Sequence, residues 1–148
     1  IVKAIEHRIQ SDAEVEYYVL EMLFEHMTVA VPVANAERLG LRKTVSEQDL
    51  EAVADMLKST PDVQQVKSIS WNRRFQIYMS WIKTGSITEV ARVFKILSIL
   101  ENNKKISVGE RRLLHNTKQI LQSELMLIRD IDANAAEAWI DKLAKAEA

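Results

Sequence analysis

Trp71 stands in the stretch Ser68-Ile69-Ser70-Trp71-Asn72-Arg73-Arg74-Phe75, where a large apolar ring precedes two arginines. A second pair, Arg111-Arg112, follows Ser107-Val108-Gly109-Glu110, and Lys104 and Lys105 lie just ahead of it. Guanidinium groups at a helix start, beside its free backbone amides, make a seat for phosphate. An indole ring close by can stack on a base or wedge into a step of the minor groove. The same residues have a plainer reading. The tryptophan then packs in a core, and the arginines are solvated or pair with carboxylates such as Glu110.

Charge is unevenly distributed. Residues 1–60 hold 6 Lys/Arg against 11 Asp/Glu, a balance of −5. Residues 61–129 hold 12 against 5, or +7, and residues 130–148 hold 2 against 5, or −3. A basic block between acidic flanks points to a polyanion contact confined to one segment. The alternative is that the ends offset the middle through internal contacts.

No catalytic set emerges. His7, His26 and His115 lack metal-ligand spacing, and the chain has no cysteine for a thiolate zinc site or a disulfide. With three glycines there is no phosphate loop, dinucleotide fingerprint or nucleophile elbow. A non-enzyme is expected, with no cofactor, no bound metal and no small-molecule substrate. No apolar run reaches the length of a membrane span, so no membrane partner is expected.

The elements that must position these residues fall into two kinds. Ile1-Val2-Lys3-Ala4-Ile5-Glu6 opens a strand, and Gln10-Ser11-Asp12-Ala13 suits a turn. Glu14 to Met22 is a second strand, Glu25-His26 a break, and Met27 to Val33 a third, its Pro32 fitting a strand end. Residues 35–38 form a single turn, and residues 39–45 are a further strand candidate. Ser46-Glu47-Gln48-Asp49 then caps a helix carrying Leu50, Val53, Ala54 and Leu57. Residues 59–68 read as a linker holding the domain boundary.

From Ser70 onward the pattern is helical. One helix spans about 70–83 and stops at Thr84-Gly85. Ser86-Ile87-Thr88-Glu89 is a capping box for a helix burying Ile87, Val90, Ala91, Phe94 and Leu97. Asn102-Asn103-Lys104-Lys105 breaks it, and Ser107 to Glu110 is a second capping box. That long helix buries Leu114, Thr117, Leu121, Leu125 and Ile128. A final short helix from about Asn134 packs Ala138, Trp139 and Leu143.

Several stretches resemble the CarD/CdnL transcription regulators. Met27-Thr28-Val29-Ala30-Val31-Pro32-Val33-Ala34-Asn35-Ala36, with Leu39-Gly40-Leu41-Arg42, resembles the end of that family's RNA-polymerase-interaction domain. Trp71-Asn72-Arg73-Arg74-Phe75 resembles its Trp-x-Arg-Arg-aromatic signature. Gly85 to Val93 is similar to its next helix, and Ile106 to Leu114 with Ile120 to Leu125 resembles its Leu-Ser-x-Gly-Glu-basic run. The order and spacing hold over nearly the whole chain.

The resemblance implies an α+β protein: a small Tudor-like antiparallel β domain over residues 1–45, helix and linker over 46–68, and a compact all-helical DNA-binding domain over 69–148. It implies a bacterial, cytoplasmic RNA polymerase accessory factor, nucleoid-associated through the polymerase. The β domain would bind the polymerase β subunit through Arg8, Val29, Ala30, Val31 and Pro32. Trp71 would enter the minor groove at the upstream edge of the transcription bubble and stabilise the open promoter complex. Arg73, Arg74, Arg111 and Arg112 would hold promoter DNA with little regard to sequence. The runner-up is a polymerase-binding factor or protein–protein adaptor with little DNA contact, in which Trp71 packs between domains. Two departures stand out. Ala30 falls where some members carry Arg, and the family's opening Gly-Asp-x-Val-Val-Tyr-Pro-x-His-Gly strand has no counterpart here, so the exposed edge of the sheet is expected to be open, distorted or filled by another chain.

Overall fold

A computed structural model describes residues 2–22, 27–39, 41, 45–103 and 106–145. The chain divides into two compact units, Ile1–Lys43 and Thr44–Ala148.

The first unit is an antiparallel sheet in the order β1 (Val2–Gln10), β2 (Ala13–Glu21) and β3 (Thr28–Pro32). Ser11 and Asp12 join β1 to β2 with φ of 53° and 63°, the left-handed geometry that lets a two-residue turn follow the strand twist. Every residue of β1 is exposed, and β1 is an edge strand, so the expected open edge is present. The pairing sets two faces. Arg8 opposes Val15, Glu6 opposes Tyr17 and Pro32, and Ala4 opposes Val19 and Ala30. The other face carries Ile5 with Tyr18 and Val31, and Leu20 with Val29. Val33–Asn35 then forms a single 3₁₀ turn.

Of the strand candidate at residues 39–45, the described residues Leu39, Leu41 and Val45 are not in a strand. Its remaining positions, together with Glu25, His26, Lys104 and Lys105, lie outside the described residues.

The second unit holds five helices of twelve residues or more and one of four. They are α1 (Glu47–Lys58), α2 (Gln64–Lys67), α3 (Trp71–Ile82), α4 (Ile87–Asn102), α5 (Val108–Arg129) and α6 (Ala133–Lys145). Local chemistry explains most of their limits. Ser46 Oγ accepts from the Asp49 amide at 3.2 Å while Asp49 Oδ2 accepts from the Ser46 amide at 2.8 Å. Gly85, at φ 75°, provides the left-handed turn between α3 and α4. Asp130 ends α5 in the same left-handed region.

Amphipathic periodicity buries one stripe of each helix. Leu50, Val53 and Leu57 of α1 join Ile87, Val90, Ala91, Phe94 and Leu97 of α4, Leu121 and Leu125 of α5, and Ile140 of α6. Three expectations are corrected. The boundary does not fall at residues 59–68, because Val63 and Val66 are buried in the same core as α1 and α4. Ser86 caps α4 by backbone geometry alone, without a side-chain bond. Glu89, its expected partner, lies 3.5 Å from Arg92, while the Ser86 amide donates to Thr84 Oγ1. On α6 the buried positions are Ala136 and Ile140, with Trp139 and Leu143 packed against the core as expected, and of the three expected positions only Ala138 faces solvent.

Candidate nucleic-acid interface

Trp71 is the first residue of α3, and its indole is partly buried against the helical core. The ring lies on the start of α5. A Cβ built on Gly109 would come within 2.8 Å of Trp71 Cζ2, so this close approach requires glycine. Trp71 also meets Phe75 edge-on, with centroids 5.4 Å apart. Phe75 is one turn further along α3 and is 41% exposed. The two aromatics thus share one helix face and one rim.

Behind this rim, α3 and α5 enclose an open apolar groove of about 440 Å³ lined by Phe75, Met79, Ile82, Leu113 and Ile120, with Arg112 and Gly109 also on its wall. Arg112 is exposed and has no ion-pair partner among the described residues. Arg111 is exposed and sits 3.8 Å from Glu101, a distance at which the pair contributes little. Arg73 is likewise exposed and without an ion-pair partner among the described residues, but two positions on from Trp71 it projects from another side of α3. The fold therefore gathers Trp71, Phe75 and Arg112 around one rim and leaves Arg73 outside it.

Arg74 is different. Its side chain is only 15% exposed, and Nη2 donates to Glu110 Oε1 at 2.6 Å. Nη1 donates to the carbonyl of Ile69 at 3.1 Å. Glu110 is fully buried, and its Oε1 also accepts from the Ser107 amide at 3.3 Å, completing the capping box of α5. Beside the pair, Tyr78 is fully buried and its hydroxyl has no partner among the described residues. Burial, then the Glu110 charge, pushes its phenol up to about 12, with Arg74 opposing.

Sequence reasoning missed Phe75 as a partner of the tryptophan and Gly109 as its seat. Aromatic spacing of four on a helix was a usable signal for Phe75. Nothing local identified Gly109. On the sheet, the proposed polymerase residues are split between faces: Arg8, Ala30 and Pro32 on one, Val29 and Val31 on the other. Arg8 pairs with Glu6 at 2.9 Å and lies over the Tyr17 ring at 5.0 Å. Among the described residues, no group of three or more His, Asp or Glu could hold a metal ion, and no helix is long and apolar enough to cross a membrane.

Residues 52–141 match the C-terminal domain of CarD, and the chain belongs to the CarD family. It is also similar to a protein of Bacillus subtilis (strain 168) named "Putative transcription factor YdeB", with 28% identity over 131 residues, covering 88% of this chain and 84% of that one.

Proposed function

We propose that this CarD-family protein regulates transcription by binding the RNA polymerase β subunit through its sheet and stabilising the open promoter complex through Trp71. The observation that carries the reading is the Trp71–Phe75 rim seated on Gly109 and bordered by Arg112. An apolar edge of this kind gains contact with DNA where a base step is already unstacked, as at the edge of a bubble. Arg73, Arg111 and Arg112 are exposed cations suited to phosphate, which positions a protein without reading sequence. The bias toward melted DNA is the essential property, since equal affinity for both states would shift nothing.

With a formal net charge of −1, the protein holds DNA weakly on its own, and the polymerase tether raises its effective concentration at the promoter. On the sheet, Arg8, Ala30 and Pro32 form the polymerase-facing surface, with Val29 and Val31 supporting it from the opposite face. The test is open-complex lifetime on a promoter, with and without the protein. Trp71→Ala is expected to abolish most of the lengthening while polymerase capture stays intact. Arg8→Glu is expected to lose capture and keep the fold. Equal loss of both properties in Trp71→Ala would favour a packing role for the ring instead.

A further inference from the structure

Arg74 lies within the basic signature yet has little charge to offer a ligand. Its guanidinium is turned inward, and its charge is met by a carboxylate from which solvent is excluded. We propose that Arg74 is a positioning residue: locked on Glu110 and on the Ile69 carbonyl, it braces the start of α3 against the start of α5 and so sets the attitude of the Trp71 ring.

Three observations carry this, and it rests on the DNA reading only for its consequence. First, the two anchor points bracket the tryptophan in sequence. Ile69 lies two residues before Trp71 and Arg74 three residues after, so one planar group fixes the backbone on both sides of the ring. Second, the carboxylate belongs to the residue next to Gly109, whose lack of a Cβ leaves room for the indole. The latch and the seat are therefore consecutive residues of α5. Third, the geometry gives up hydrogen bonds for this placement. An Arg–carboxylate pair can close two parallel bonds. Here one arm goes to Glu110 and the other to Ile69, leaving Glu110 Oε2 and Arg74 Nε buried without partners among the described residues. A buried ion pair satisfied in this partial way adds little net stability over apolar residues of similar volume. What it does supply is a fixed relation between two helix starts.

The test uses the full chain labelled with 5-fluorotryptophan, the Trp71 line being assigned by its loss in Trp71→Phe. Fluorine spectra are recorded alongside binding to a duplex with an unpaired bubble over a range of salt concentrations. Glu110→Gln keeps a capping side chain and loses the charge. Arg74→Lys keeps the charge and cannot brace two points. Each is expected to shift the Trp71 line and to weaken bubble binding by about tenfold, with the salt slope unchanged and the double variant no worse than either single one. The pair Arg74→Met with Glu110→Met removes both charges and is expected to fold as well as the parent, with Trp71 displaced and binding weakened to the same degree.

If Arg74 instead holds a phosphate, Glu110→Gln binds as tightly or tighter, Arg74→Lys is nearly neutral, and Arg74→Gln lowers the salt slope by about one phosphate. That result overturns the proposal, as does full binding by the double methionine variant. Should Trp71→Ala itself bind bubble DNA normally, the DNA reading fails. The latch is then judged by the fluorine line alone, and an unmoved line in both single variants overturns it.

Discussion

The sheet unit and the helical unit solve the same problem differently. In the sheet unit, Val31 and Ala36 are the only apolar residues buried among those described, and Ile5 and Ile9 of β1 are 57% and 83% exposed. Its order comes from backbone pairing, a tight hairpin and surface pairs such as Lys3–Glu21 at 2.8 Å. In the helical unit, side chains from all six helices share one core, and some of the polar groups that enter it are met by partners. Lys95 is an example. Its ammonium, held below the usual lysine range by burial, donates to the Ala144 carbonyl in the last turn of α6 at 2.6 Å. A unit organised by a core can fix a side chain's angle. A unit organised by strand pairing presents exposed edges and faces, which suits contact with another protein. The division of labour proposed above follows that difference.

The largest test of the contrast is a pair of truncations. Leu97→Ala, at a fully buried site of α4, is expected to cost about 2–5 kcal/mol in urea or thermal melts of the whole chain. Val31→Ala, the nearest equivalent in the sheet, should cost much less and leave the helical transition in place. Equal losses would mean the two units do not differ in this way.

Next is alkaline pH. A tyrosine whose folded pKa is raised to about 12 contributes stability that is complete below its ordinary value of 10.0 and is lost as pH climbs from there toward 12. The effect is at most about 3 kcal/mol, and Tyr78→Phe should remove it. Because the Tyr78 hydroxyl is buried without a partner among the described residues, that variant should also melt at or above the parent temperature at neutral pH. Smaller still is the α1 cap. Ser46→Ala should lower the melting temperature by a few degrees. Asp49 is held below its ordinary value of 3.8, first by the Ser46 amide, so the cap's contribution persists at neutral pH and disappears as acidification passes below that value. Smallest is Lys3→Ala, an exposed pair member, expected to change stability by under about 0.5 kcal/mol.

What could be read in the sequence was whatever local residues decide. Ser46 and Ser107 announced their helices because a cap needs only the next three residues. Leu50, Val53 and Leu57, and Ile87 through Leu97, announced their buried faces by period. The three strands followed from β-branched runs broken by polar turns. Misreadings arose where tertiary packing overrode local pattern. Residues 59–68 have the polar content of a linker, yet Val63 and Val66 are drawn into the core. Ser86 and Glu89 have capping-box spacing, but Glu89 lies nearer a cation. The site itself was half legible. Trp71 and the exposed arginines stood out by type, whereas Arg74 and Glu110 are 36 residues apart and only the folded chain brings them together. Gly109 reads as a poor helix residue until the ring above it is seen.

The hairpin at Ser11 and Asp12 gives the sheet a further property. Both residues hold positive φ, a conformation glycine adopts freely and side chains resist. Asn-Gly is the pair such a turn favours. The bend therefore stores strain that one replacement, Asp12→Gly, relieves without touching the buried residues or either proposed contact surface. The protein carries at that bend a separate control over how firmly its sheet is formed, and the rigidity of the sheet unit can be tuned there while the helical unit is left as it is.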